Sequence, residues 1–108
     1  MKYPLDLFLG VKTSDWNIAK ASCEALIGHP LRCTDSMFYG GKHCHTTTDD
    51  ASYELRLNHH DDGWGWSWCI NDARFPLVLT CYLQSNSAHQ RILSGLHAID
   101  LIELPSGG

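Results

Sequence analysis

Histidine, cysteine, aspartate and tryptophan carry most of the chemistry open to this chain, and they crowd into residues 43–72. Side chains repeat every second residue along a strand, so His43-Cys44-His45 puts two imidazoles on one face. Such a pair is a common start for zinc or another divalent metal. His59-His60-Asp61-Asp62 would have to supply further ligands. If the chain turns back around 47–49, His43 lies opposite about Tyr53, and His59 sits roughly 20 Å further on at 3.4 Å per residue. A closed four-ligand site would then need a bulge, another register or a second subunit. Solvated histidines at strand ends and turns are the plainer expectation. No cofactor is expected otherwise.

Other candidates meet similar objections. Cys44 would need a base, but His43 and His45 point to the opposite face of the strand. Asp49-Asp50 and Asp61-Asp62 could hold a cation or move protons, yet acidic pairs beside turns ordinarily form the turn. Trp64, Trp66 and Trp68 would stand in a row. The row suits either a strand whose bulky face builds the core or an aromatic platform for a flat ligand. In a mixed arrangement Trp66 and Trp68 are buried and Trp64 stands exposed at the mouth. Gly40-Gly41-Lys42 lacks the spacing of a phosphate loop. No catalytic residue is nominated.

Charge says more about partners. Residues 43–72 hold six carboxylates against Arg56 alone, while the whole chain carries a net charge of −4. A nucleic-acid binder would show the opposite sign. The five cysteines are odd in number and form no CxxC pair, so reduced thiols in a cytoplasmic protein are expected. No targeting segment and no stretch near the roughly 20 apolar residues of a membrane span are visible.

The elements that must position these groups follow from periodicity. Leu5, Leu7, Leu9 and Val11 alternate with Asp6, Phe8 and Gly10, which predicts a strand. Thr13-Ser14-Asp15 offers an N-cap, and Trp16, Ala19, Cys23, Leu26 and Ile27 predict an amphipathic helix over 15–27, ended by Gly28 and Pro30. Residues 36–45 read as a second strand. Tyr53, Leu55 and Leu57 mark a third with one wet face. The tryptophan row marks a fourth, with Asp61-Asp62-Gly63 and 71–74 as turns. Phe75 to Leu83 predicts the most buried strand, with Pro76 at its start. Ser87 and Gln90 fit a capping box for a second helix over about 88–98. Residues 101–104 close the fold as a short strand, and 105–108 form a frayed tail.

The expected fold is therefore α+β: one domain over 1–108, with a mostly antiparallel sheet of five to six strands in the order β-α-β-β-β-β-α-β and two helices on one face. The functional expectation is an interaction protein rather than an enzyme. It would bind a basic protein through an acidic surface of Asp49, Asp50, Asp61, Asp62 and Asp72 around Trp64. Physically that is what an immunity protein against a basic toxin needs, and products of mobile gene cassettes are similarly small. The alternative is a small-ligand or metal-binding domain using Trp64, Trp66, Trp68, His43 and His45. A symmetric homodimer through an edge strand fits either reading.

Overall fold

The computed structural model describes residues 6–36, 41–61, 66–70 and 72–105. Along the chain run β1 (Leu7–Val11), α1 (Trp16–Ile27), β2 (Arg32–Ser36), β3 (Gly41–Thr48), β4 (Ala51–Leu57), β5 (His59–Asp61), β6 (Trp66–Trp68), β7 (Leu77–Leu83), α2 (Asn86–Gly95), a 3-10 turn (Leu96–Ala98) and β8 (Ile102–Glu103). Six strands form one antiparallel sheet in the order β2-β3-β4-β7-β1-β8, and β5 and β6 pair in a separate two-stranded ribbon. The fold is α+β, with both helices on one face of the sheet.

That face holds the core. Leu9, Cys44, Leu55 and Leu79 lie abreast across β1, β3, β4 and β7, and all are fully buried. Ala19, Cys23, Leu26 and Ile27 of α1 and Ala88 and Ile92 of α2 cover them. The helical spacing of α1 therefore reports its burial, as expected. Asp15 caps this helix by accepting from the Asn17 and Ile18 amides at 2.9 and 3.2 Å. Gly28 ends it in the left-handed region at φ 82°, where L-residues are strained. For α2 the cap is Ser85, which accepts from Ala88 N–H at 3.0 Å, two residues before the predicted capping box. The apolar run Phe75–Leu83 becomes the central strand β7, and Pro76 precedes its first residue.

Three local expectations are corrected. The strand expected over 36–45 is observed as Gly41–Thr48, and an unexpected strand precedes it, because polar Arg32–Ser36 pairs with β3 through its backbone and shows no apolar alternation to announce it. The turn between β3 and β4 falls at Asp49-Asp50, so Thr46, not His43, lies opposite Tyr53. Among the described residues the tryptophan strand lies outside the main sheet. Trp66–Trp68 pairs only with β5, His59 with Trp68 and Asp61 with Trp66.

This excursion between β4 and β7 hangs from Asn58, which is fully buried. Its side-chain amide donates to the Ile70 and Phe75 carbonyls at 2.7 and 2.9 Å and its oxygen accepts from Ile70 N–H at 2.6 Å. Its backbone bonds Pro76 and Cys69. One side chain thus satisfies several buried backbone groups at the root of the ribbon. Phe75 then packs onto the sheet face opposite the helices, where a Cβ on Gly10 would overlap its ring.

The cysteines also differ from expectation. Cys33 and Cys44 are bonded to each other, while Cys23, Cys69 and Cys81 are free thiols. The sheet register sets the pair directly opposite across β2 and β3, a proximity that a separation of 11 residues does not advertise. No helix among the described residues is long and apolar enough to cross a membrane.

Candidate functional site

The sheet face away from the helices is where the polar side chains gather. Residues opposite one another share a face, so Arg32, His45, Glu54, Thr80 and Phe8 form one row across five strands. Thr47, Ser52 and Tyr82 form the next row toward the β3–β4 turn. Thr34 and His43 lie on the other side of the first. The His43 and His45 rings stack 5.9 Å apart. A hollow of about 410 Å³ opens between His45, Thr46, Thr47, Ser52, Tyr53, Glu54 and Tyr82. Phe8 is 44% exposed and Tyr82 37% exposed. They are diagonal neighbours on β1 and β7, within reach of one another. Between them the Thr80 hydroxyl is buried without a hydrogen-bond partner. The far end of this face is closed: Val78, opposite Gly10, is fully buried beside Phe75.

A second hollow lies at the β3–β4 turn, about 660 Å³ in volume, between Ile27 at the end of α1, His29 just after it, Thr47 to Asp50, and Arg91 on α2. Thr48 Oγ1 donates to Asp50 Oδ1 at 3.2 Å. Arg91 Nη2 donates to both Asp50 oxygens at 3.3 and 3.4 Å. Partial desolvation raises the Asp50 pKa, but Arg91 and Thr48 outweigh it and hold the carboxyl below its ordinary value. Behind Arg91 sits the buried Tyr53 hydroxyl, without a partner at hydrogen-bonding geometry. Desolvation pushes this phenol up, against the pull of Arg91. Asp49, beside Asp50, is exposed.

The predicted partner-binding residues therefore divide. Asp49 is free to face a partner. Asp50 is matched by Arg91, and Asp72 is matched by Arg74 at 2.8 Å. Arg74 holds the Asp72 carboxyl below its usual range. Arg74 also reaches Glu103 at 3.5 Å, and Lys12 reaches the same carboxylate at 3.2 Å. These two acids and two bases cancel. Asp61 ends β5, on the ribbon and away from the β3–β4 turn. Asp62 and Trp64 lie outside the described residues, while Trp66 and Trp68 occupy alternate positions on β6.

The predicted metal pair, His43 and His45, does share a face. Among the described residues, however, no group of three His, Cys, Asp or Glu side chains converges in a way that could hold an ion. Sequence reasoning missed Phe8, Tyr82 and Arg91. Tyr82 is the one exposed residue in an otherwise buried strand, and a continuous apolar run gives no phase from which to find it. Phe8 had a signal, since it falls on the wet side of the alternating first strand. No family model, curated protein or solved structure matches the chain.

Proposed function

We propose that this chain is an interaction domain that binds a basic protein segment on the open end of its polar sheet face. The observation that carries the reading is the exposed Phe8–Tyr82 pair set beside Glu54, His45, Thr47 and Ser52, with exposed Asp49 at the adjoining turn and two cations of this face, Arg32 and Arg56, at the edge strand and toward the closed end. Aromatic groups rimmed by polar ones are the usual composition of a hot spot. Carboxylates beside them favour lysine and arginine and speed the encounter.

The surplus of acid over residues 43–72 supports the same partner, in narrower form. Arg91 and Arg74 cancel Asp50 and Asp72, so the attraction comes from Glu54 and Asp49. An inhibitor of a basic toxin is the kind of protein this surface suits, and a cytoplasmic setting goes with that role.

Charge reversal tests the reading. With a partner captured from the native host, Glu54→Lys together with Asp49→Lys should weaken binding at least tenfold, about 1.4 kcal/mol, and flatten its dependence on salt. Tyr82→Ala should weaken binding at every salt concentration. Unchanged affinity in both variants, or a captured partner that is itself acidic, would end the proposal.

A further inference from the structure

β2 is an edge strand, with β3 on one side only. Its sequence, Arg-Cys-Thr-Asp-Ser, offers no aliphatic side chain to the core, and Arg32, Cys33 and Thr34 are all exposed. β4, by contrast, buries Ala51, Tyr53 and Leu55. Burial therefore does little to hold β2 in place. At its beginning Leu31 is buried and its N–H donates to the Glu24 carboxylate at 2.7 Å, which fixes the chain to α1 just before the strand starts. Along the strand the tie is the bond from Cys33 to Cys44, exposed at one end and fully buried at the other.

We propose that Cys33–Cys44 is a redox-operated latch on the edge of the sheet. A small-molecule or protein dithiol approaches from the exposed Cys33 side of the bond, and its thiolate attacks the Cys33 sulfur. The S–S bond breaks, a mixed disulfide forms on Cys33, and Cys44 leaves as a thiolate that takes a proton. The second thiol of the reductant then closes its own disulfide and releases Cys33. Two electrons and two protons pass to the protein, and the reductant is oxidised. With the bond open, β2 is held by the backbone of one neighbour and by the anchor at Leu31. It frays, and the side of β3 that faced it becomes an open edge able to pair with another strand. The other thiols do not compete: Cys23 and Cys81 are fully buried, and Cys69 lies at the root of the ribbon.

The register supplies the readout. Cys33 and Cys44 have Cα atoms 3.9 Å apart, the close spacing of a non-hydrogen-bonded pair. Arg32 with His45 and Thr34 with His43 are then the hydrogen-bonded pairs, so the amides of Arg32 and Thr34 report on the strand. Hydrogen exchange is compared for protein equilibrated with oxidised glutathione, for protein reduced by a dithiol, and for Cys33→Ser. Those two amides should exchange at least about tenfold faster in the reduced protein and in the variant, while β4 and β7 stay protected. Equal protection of β2 in oxidised and reduced protein would overturn the latch. So would five titratable thiols, rather than three, in the denatured oxidised protein. The wild-type comparison stands on its own if the variant folds poorly.

Discussion

On the helix side of the sheet Cys44, Leu55, Leu79 and Leu9 stand in a row, each fully buried. On the other side the adjacent row passes from exposed Arg32 through His45 and Glu54 to buried Thr80 and exposed Phe8. The same strands build both rows, one residue out of phase. The first row is what folding requires, because burying those side chains is the main favourable term. Folding does not require this second face to combine an exposed aromatic pair with a carboxylate and two stacked imidazoles. The contrast places the stabilising chemistry on one face and leaves the other free for recognition.

The sharpest way to break this contrast is to truncate one residue on each face. Leu79→Ala should cost about 3 kcal/mol in urea denaturation, whereas His45→Ala should change stability by less than about 0.5 kcal/mol. Comparable losses would mean that the polar face also carries the fold. The root of the ribbon comes next. Asn58→Ala leaves the Ile70 and Phe75 backbone groups without their partner and should cost about 2 kcal/mol, with amides of β5 and β6 exchanging faster than those of β4.

The closed end of the polar face supplies a smaller test. Gly10→Ala should cost about 1–3 kcal/mol, since its Cβ would overlap the Phe75 ring. In a Phe75→Ala background most of that cost should vanish, and additive losses would contradict the close approach. Thr80→Val removes a buried hydroxyl that has no partner. It should be neutral or stabilise by up to about 1 kcal/mol; a clear loss would reveal a partner on this face.

The surface ion pairs should matter least. Asp50 and Asp72 have pKa values below their ordinary 3.8 in the folded chain. Their pairing therefore stabilises the fold above pH 3.8 and is lost as pH falls through the lower folded values. Arg91→Ala and Arg74→Ala should show a deficit at neutral pH that closes in acid and in high salt. A deficit that persists in acid would assign these arginines a packing role instead.

Much of the fold was legible because burial writes a period into the sequence. Alternation over Leu7–Val11 and Tyr53–Leu57, helical spacing from Trp16 to Ile27, and the unbroken run into β7 all mark one face of the sheet or the helices packed on it. β2 and β5 were not legible, since strands of five and three residues without apolar alternation carry no period. The tryptophan row did alternate, but alternation cannot tell which strand it joins. The site was partly readable. His43 and His45 do share a face, and Asp49 is exposed. Pairing of Asp50 with Arg91 and Asp72 with Arg74, and the bond between Cys33 and Cys44, depend on register and packing that spacing along the chain does not encode.

Site-specific photo-crosslinking in the native host compares the two sides of the molecule most directly. A benzophenone side chain replaces Tyr82 on the polar face in one variant and Ile18, 48% exposed on α1, in another. The account predicts that a positively charged protein is captured from position 82 and not from position 18. Capture from position 18 alone, or equal capture from both, would contradict it.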